Sequence, residues 1–272
     1  MGGYTVTGKI AFITGVGAGF GSELAVRLVA KGARVFGCDI NAANGQRVVD
    51  AIAARFGPDA AAFAVCDVSD LADLERVFKA AVARFGRVDI VVNNAGIGET
   101  SRFSDDPDSN WKLVMDIDLY AVIKGTHLAL NQMRTQNPPG GVVVNVASMA
   151  GFLPDPNMPV YVAAKMGVVG FTRSLGWKIF KNQNVRVNGV APTFAMTNMG
   201  KLAAQDPDLK KYVQASSVPV SLVIDAFMRA IEDDTLAGDI VRITAEKGID
   251  VLPKKDLTTV ADKNAAKAKA KI

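Results

Sequence analysis

The sequence predicts an α/β fold in which helices cover both faces of a doubly wound parallel sheet of about seven strands. Short apolar runs alternate with longer helical patterns along the chain, and this alternation is typical of βαβ units with right-handed crossovers. Several runs are apolar at consecutive positions, as expected for strands that are buried on both faces of a parallel sheet. A glycine-rich stretch also follows the first run, where a strand would turn into a helix.

The predicted elements follow one another in a single pattern. Strands are expected at 9–14, 34–39, 61–67, 89–96, 141–148, 185–190 and 238–244. Helices are expected at 19–31, 43–56, 71–85, 109–134, 159–181 and 198–231. Because the pattern never restarts, residues 1–253 are predicted to form one domain, and the lysine-rich segment 254–272 is predicted to be a flexible basic tail.

Composition excludes several classes of function. The formal net charge of +4 resides in the tail, which holds six Lys and two Asp, so the body carries no basic stripe for nucleic acid. Cys38 and Cys66 are expected to be buried thiols, and no Cys/His cluster predicts a metal. No apolar run reaches the ~18 residues of a membrane span. A cytoplasmic location is expected, and the final Ala-Lys-Ile keeps a peroxisomal one open because it resembles a C-terminal targeting tripeptide.

A dinucleotide site is predicted where the first strand meets the first helix. The stretch Thr-Gly-Val-Gly-Ala-Gly-Phe-Gly spans 14–21, and glycines there permit a tight turn that a pyrophosphate can approach closely at a helix N-terminus. Asp39 ends the second strand and can accept both ribose hydroxyls, whereas it would repel a 2′-phosphate, so NAD is predicted over NADP. The loop residues expected to contact the cofactor are Gly15, Gly17, Gly19, Phe20 and Gly21, together with Asp39 and Ile40.

Further polar residues end other predicted strands. Ligands of open α/β sheets bind outside the carboxyl ends of the strands, so these residues are expected to meet the same cofactor. Asp67 can hydrogen-bond the adenine ring. The complete set at these two strand ends is Cys66, Asp67 and Val68 after the third strand, and Asn94, Ala95 and Gly96 after the fourth.

Tyr161 and Lys165 stand four residues apart at the start of a predicted helix, so their side chains lie on one face. A tyrosine alone is a poor base at neutral pH because its ordinary pKa is ~10. We expect the Lys165 ammonium, with a cationic nicotinamide nearby, to lower the pKa of Tyr161. Ser148 ends the fifth predicted strand, and its hydroxyl can donate to a substrate oxygen while Tyr161 takes the proton.

These motifs together resemble the short-chain dehydrogenase/reductase family: the glycine stretch at 14–21, Asn-Asn-Ala-Gly at 93–96, Ser148, and Tyr-x-x-x-Lys at 161–165. The resemblance covers about 1–250. It implies a single-domain Rossmann-type fold, a bound NAD(P), and Ser148, Tyr161 and Lys165 as the catalytic group.

The resemblance implies further contacts and an assembly. Lys165 would also hold the nicotinamide ribose. The segment Pro192–Thr197 would meet the nicotinamide, with Pro192, Phe194 and Thr197 as contacts and Thr197 at the carboxamide. A homodimer or homotetramer through the helices at 109–134 and 159–181 is expected. Residues 231–250 and 159–174 are similar to NAD-dependent 15-hydroxyprostaglandin dehydrogenases, which implies that a secondary alcohol on an apolar small molecule is oxidised to a ketone.

Two departures from the family's pattern bear on function. Asp118 stands where the family usually has Asn, and its carboxyl group can pair with Lys165 as an anion or be protonated. The resemblance implies that the backbone carbonyl of this Asn holds a water that links the catalytic Lys to a proton relay. Because Asp keeps the carbonyl, we hypothesise that the relay survives, and we include Asp118 among the catalytic residues. Met158 stands where the prostaglandin enzymes have Gln, and because Met cannot donate to a substrate oxygen, a different substrate is expected. An apolar pocket, or else packing of core and loops, is predicted for Phe152, Leu153, Met158, Phe194, Met196 and Met199.

The leading interpretation is therefore an NAD-dependent enzyme that interconverts a secondary alcohol and a ketone. Two alternatives stay open. One is a ketone reductase or a hydroxyacyl dehydrogenase of fatty-acid metabolism. The other is a non-catalytic NAD-binding protein, which only Asp118 favours, because Ser148, Tyr161 and Lys165 are all present.

Overall fold

A computed structural model describes residues 3–100, 103–105, 110–205 and 207–252. Within this part of the chain, one sheet holds eight strands: β1 Ile10–Thr14, β2 Arg34–Asp39, β3 Ala61–Val65, β4 Ile90–Asn93, β5 Gly141–Val146, β6 Val185–Pro192, β7 Ile240–Thr244 and β8 Gly248–Val251. Their order is β3-β2-β1-β4-β5-β6-β7-β8. Strands β1 to β7 pair in parallel. The doubly wound α/β fold is thereby confirmed.

The prediction of about seven strands missed β8. This strand pairs antiparallel with β7 at the edge of the sheet, and all four of its residues are only half-buried. Such a short, half-exposed edge strand lacks the continuous apolar run that revealed the parallel strands.

The helices are α1 Gly19–Ala30, α2 Ala42–Phe56, α3 Leu71–Phe85, α4 Trp111–Met115, α5 Ala121–Thr135, α6 Pro159–Gln183, α7 Asn198–Ala203, α8 Pro207–Ser216 and α9 Val220–Glu232. Two predicted helices are therefore divided. A π-helical turn, Asp116–Tyr120, separates α4 from α5. The region 198–231 forms three helices, because Pro207 opens α8 and Pro219 precedes α9, and proline suits the start of a helix rather than its interior.

The core lies in two layers on either side of the sheet. Side chains alternate along each strand, so Ala11 and Ile13 of β1 pack on the face covered by α1 and α9, whereas Phe12 packs on the face covered by α3 and α5. In β5, Val144 and Val143 divide in the same way. Burying each large apolar side chain contributes about 1.5–3 kcal/mol. The resulting sheet is a rigid platform for residues at its carboxyl edge.

The order of the strands reverses between β1 and β4, which both lead away from the centre of the sheet. Such a switch point opens a crevice at the carboxyl ends of the strands. None of the described helices is both long and apolar enough to cross a membrane. The tail at 254–272 and its final Ala-Lys-Ile lie outside the described residues, so the predicted flexibility and the peroxisomal signal stay predictions.

Candidate active site

The glycine-rich stretch forms a tight turn between β1 and α1. The amide of Gly15 donates to the carbonyl of Cys38 over 2.8 Å, and Gly15 adopts a φ of +71°, a region that favours glycine. A Cβ at position 21 would lie 2.2 Å from the Gly15 carbonyl oxygen and 2.7 Å from Nδ2 of Asn94. The turn therefore requires the absence of side chains, and it leaves a cradle at the N-terminus of α1.

Thr14 and Asn94 join the ends of β1 and β4. The hydroxyl of Thr14 accepts hydrogen bonds from the amides of Asn94 and Ala95, both over 3.0 Å. In return, Nδ2 of Asn94 donates to the carbonyls of Thr14 and Gly15 over 2.8 and 3.1 Å. The side chain of Asn94 is thus used to hold the glycine turn. Thr14 was missed as a site residue, although a polar side chain at a strand end beside the glycine motif was a signal for it.

Asp39 lies beside the glycine turn, as the sequence predicts for an acid at the end of β2. Its Oδ2 accepts from the amide of Gly17 over 2.8 Å, and its Oδ1 accepts from the amide of Asn41 over 2.8 Å. The next residue, Ile40, is 68% exposed. These bonds fix the carboxylate at the crevice.

Among the residues that follow β3, Asp67 has the polar side chain. Asp67 accepts hydrogen bonds from the amide and hydroxyl of Ser69 over 2.9 and 2.7 Å. Cys66 and Val68 are buried in the core, so only their backbone can face a ligand. A hydrogen bond that the Cys38 thiol donates to the Cys66 side chain, together with burial, raises the pKa of Cys38 well above its ordinary value. Both cysteines are buried, as predicted.

The segment after β6 meets the glycine turn. A Cβ at Gly19 would lie 3.4 Å from Cγ2 of Thr197, whose hydroxyl accepts from the amide of Gly200 over 3.4 Å and caps α7. Pro192 is buried at the end of β6. The carbonyl of Phe194 accepts from Val218 over 2.8 Å. Phe20, by contrast, packs its ring at 6.2 Å from that of Phe227, so its side chain belongs to the core.

Ser148, Tyr161 and Lys165 lie together at the carboxyl edge, although they come from a loop and a helix. The Ser148 hydroxyl accepts from the amide of Ala150 over 3.2 Å, and the Ser148 side chain is close enough to Tyr161 to lower the pKa of that phenol. The ammonium of Lys165 is 5.4 Å from the centre of the Tyr161 ring. A hydroxyl, a phenol and an ammonium group therefore lie near one another.

Asp118 makes an ion pair with Lys165 inside the protein. The distance from Lys165 Nζ to Asp118 Oδ1 is 3.1 Å, and the two side chains are 4% and 0% exposed. Lys165 also donates to the carbonyl of Val146 over 3.0 Å, and Asp118 Oδ2 accepts from the amide of Ile97 over 3.3 Å. Asp118 lies in the π-helical turn, a distortion that is frequent at functional sites. Of the two states open for Asp118, this geometry favours the charged pair.

Known proteins that resemble this chain identify its family. The sequence profile of the short chain dehydrogenases matches residues 9–208. The chain belongs to the short-chain dehydrogenase family. It is 37% identical to human 15-hydroxyprostaglandin dehydrogenase [NAD(+)] over 257 residues, which cover 90% of this chain and 94% of that protein.

Two other members of the family extend the comparison. The chain is 35% identical to cyclohexanol dehydrogenase of Acinetobacter sp., covering 70% of this chain and 74% of that protein. The crystal structure of a short-chain dehydrogenase/reductase from Burkholderia phymatum in complex with NAD superposes with a TM-score of 0.76 and 26% identity, covering 84% of this chain and 86% of that one. Because the family consists of dehydrogenases, this protein is an oxidoreductase.

In the protein without a cofactor, the pKa of Tyr161 lies above its ordinary value, whereas the predicted lowering included a cationic nicotinamide beside Lys165. Burial raises the pKa above its ordinary value, and the Asp118 carboxylate raises it further, which outweighs the lowering by Lys165 and by the hydrogen bond of Ser148. The prediction took Lys165 and the nicotinamide into account. It left out two effects that raise the pKa of Tyr161, namely the desolvation of the phenol and the charge of Asp118 beside Lys165.

The pKa values of Lys165 and Asp118 depend on each other. Burial works against the charge of Lys165, but the Asp118 carboxylate and Tyr161 outweigh it and raise the pKa of Lys165. Burial raises the pKa of Asp118, and the attraction of Lys165 opposes that rise. Asp118 therefore holds Lys165 in the ammonium form and increases the cost of ionising Tyr161.

Apolar side chains are exposed in the segments that follow β5 and β6 of this short-chain dehydrogenase. Leu153, Met196 and Met199 are 54%, 50% and 40% exposed, and Met158 is half-buried. Phe152 instead packs against the small apolar cluster below α6, in line with the packing alternative. A cavity of about 430 Å³ lies between α1 and α7 and includes Gly19 and Thr197. Its lining does not include the Ser148, Tyr161 and Lys165 cluster, so we place the reaction in the crevice.

Proposed function

We propose that this protein uses NAD to interconvert a secondary alcohol and a ketone, with Tyr161 as the general acid and base. The observation that carries the proposal is the convergence of Ser148, Tyr161 and Lys165 at the carboxyl edge of the sheet, beside the glycine turn. The names of the relatives, a hydroxyprostaglandin and a cyclohexanol dehydrogenase, support an alcohol as substrate.

The residues around the glycine turn fit a dinucleotide. Because Gly15 and Gly21 leave no room for side chains, the turn stays tight, and the amides at the start of α1 would bind a pyrophosphate. The carboxylate of Asp39, fixed on Gly17, would accept the hydroxyls of the adenosine ribose and disfavour a 2′-phosphate. When bound, NAD⁺ supplies the hydride acceptor and a second positive charge near the phenol. Asp67 and Thr197 are proposed as contacts of the adenine and the carboxamide.

The chain's own residues handle the proton. In oxidation, the Tyr161 oxygen would take the hydroxyl proton of the substrate, and the Ser148 hydroxyl would hold the same substrate oxygen. Lys165 would stabilise the phenolate through its charge and hold the nicotinamide ribose. Asp118 would keep Lys165 charged and in place through the 3.1 Å ion pair. In reduction the same groups act in reverse.

Exposed apolar side chains support an apolar substrate. Leu153, Met196 and Met199 expose flexible or branched apolar side chains in the segments after β5 and β6, and methionine adapts to ligands of different shape. Met158 offers no donor where the prostaglandin enzymes carry Gln. We therefore propose an uncharged or weakly polar secondary alcohol rather than a prostaglandin.

The test is a panel of secondary alcohols, 3-hydroxyacyl thioesters and the matching ketones, each assayed with both cofactors by nicotinamide absorbance. We expect NAD-dependent oxidation of apolar alcohols, with kcat/KM for NAD at least tenfold above that for NADP. Turnover of ketones or hydroxyacyl thioesters alone would favour the first alternative. Tight NAD binding without any turnover would contradict the proposal and favour a non-catalytic protein.

We also propose that the protein assembles as a homodimer or homotetramer through α5 and α6. Large apolar side chains are exposed on these elements and on the adjoining π-helical turn: Tyr120 is 48%, Ile123 36% and Met166 40% exposed. An exposed apolar patch of this kind is typical of an interface. Sedimentation equilibrium should give a dimer or tetramer, and Ile123→Lys should shift it towards the monomer; a monomeric wild type would contradict the proposal.

A further inference from the structure

The helix that carries Tyr161 and Lys165 begins at Pro159, directly after a methionine. The amide of Val162 donates to the carbonyl of Met158 over 2.9 Å, so Met158 occupies the N-cap position of α6. The first amides of a helix find no partner inside it, and Ser, Thr, Asp or Asn usually provides the acceptor at the N-cap. Methionine has only a weakly accepting sulfur.

Glu99 supplies the missing acceptor from a distant part of the sequence. Its Oε1 accepts a hydrogen bond from the backbone amide of Tyr161 over 2.8 Å. Tyr161 is the third residue of α6, whose amide an N-cap side chain would normally satisfy. A carboxylate at this position also meets the positive end of the helix dipole, and charge-assisted bonds of this kind are stronger than neutral ones.

The loop that carries Glu99 is fixed at two other points. After β4, the amide of Ala95 donates to the Thr14 hydroxyl over 3.0 Å, and the amide of Ile97 donates to Asp118 over 3.3 Å. Glu99 follows two residues later. One short loop therefore contacts the end of β1, the carboxylate that pairs with Lys165, and the first turn of α6.

We propose that Glu99 is a positioning residue, which caps α6 in place of Met158 and thereby holds the Tyr161 side chain against Ser148 and Lys165. It acts through the backbone of Tyr161 and does not touch the substrate. The inference rests on the proposed function for its catalytic consequence, but the cap itself exists independently of any activity. A misplacement of a reacting group by about 1 Å can cost about 10²-fold in rate.

The test compares Glu99→Ala with Glu99→Gln. Alanine removes the acceptor, so we expect kcat to fall about 10- to 100-fold while the Kd for NAD changes less than about threefold. Glutamine keeps an acceptor oxygen, so its kcat should stay within about fivefold of wild type. The double variant Glu99→Ala/Met158→Asp restores a local cap; because Met158 is proposed to contact the substrate, this variant is assessed by amide exchange and not by kcat. Glu246→Ala, an exposed acid in the β7–β8 turn, is the matched control.

Amide hydrogen exchange tests the cap without any substrate. In Glu99→Ala the amides of 160–163 should exchange faster than in wild type, and the double variant should restore their protection. Unchanged exchange in Glu99→Ala would overturn the proposal, even for a protein that oxidised no alcohol. Faster exchange with unchanged kcat in an active enzyme would also overturn it, because the cap would then be purely structural.

Discussion

The cofactor half and the catalytic half of the site are held together by different forces. At the cofactor half, backbone and neutral side-chain hydrogen bonds close the glycine turn, such as those between Gly15 and Cys38 and between Thr14 and Asn94. At the catalytic half, the buried charges of Lys165 and Asp118 lie 3.1 Å apart, and the anionic Glu99 caps the helix of Tyr161. The glycine turn depends mainly on space, although the Asp39 carboxylate also accepts a hydrogen bond from Gly17, whereas the catalytic half depends on charge.

This difference indicates how each half can fail. A turn that depends on missing side chains fails by steric clash, at any pH. A phenol whose pKa is set by burial, a cation and an anion responds to pH and to the removal of single charges. The following variants separate the two behaviours, beginning with the largest effect.

Replacing Tyr161 with Phe should have the largest effect on turnover and little effect on binding. The phenol oxygen is the only group proposed to exchange the substrate proton, and general acid–base catalysis contributes about 10²–10⁴-fold. We expect kcat to fall by about that factor, while the Kd for NAD, measured by fluorescence titration, changes less than fivefold. Tyr120→Phe, an exposed tyrosine, should behave as wild type. Retained turnover in Tyr161→Phe would remove Tyr161 from its proposed role.

Replacing Gly21 with Ala should damage the cofactor half instead. The new Cβ would lie 2.2 Å from the Gly15 carbonyl oxygen, so the turn must open and the cradle for the pyrophosphate is distorted. The Kd for NAD should rise about 10- to 100-fold, equally at pH 7 and pH 9, because no charge changes. Gly170→Ala is the control, since a Cβ there meets no atom within 4 Å. Unaltered NAD affinity in Gly21→Ala would show that the turn does not hold the cofactor.

Replacing Asp118 with Asn should have the smallest effect, and it should appear in the pH dependence. The Asp118 carboxylate raises the pKa of Tyr161, so its removal lowers that pKa. Oxidation needs the ionised phenol, and the rising limb of kcat/KM against pH should therefore move to lower pH. The plateau kcat should change less than tenfold, which is ~1.4 kcal/mol.

The control is Asp116→Asn, in the same π-helical turn but paired with the exposed Lys112. Its pH profile should match that of the wild type. A shift of the Asp118→Asn limb to higher pH would contradict the electrostatic account. A gain of more than tenfold on the plateau would show that the native carboxylate hinders the reaction, contrary to the hypothesis that the relay survives.

The cofactor half was largely predictable because its signals are local. The glycines, Asp39 and the strand ends are close in sequence or follow a repeated pattern, and parallel strands bring their carboxyl ends to one edge. The four-residue spacing likewise predicts that Tyr161 and Lys165 share a helix face. Packing details were less accessible: the side chains of Cys66 and Val68 are buried in the core, and that of Phe20 packs against it, so the predicted cofactor contacts of these residues stay a prediction for their backbone.

The sequence by itself determined the α/β class, the glycine turn and the identity of the phenol and ammonium, because residue type and short-range periodicity encode them. Only the tertiary structure decided that burial raises the pKa of Tyr161, that Asp118 pairs directly with Lys165, and that Glu99 caps the catalytic helix. These contacts join residues far apart in the chain. Their strength depends on distance and on exclusion of water, and neither quantity exists before the chain has folded.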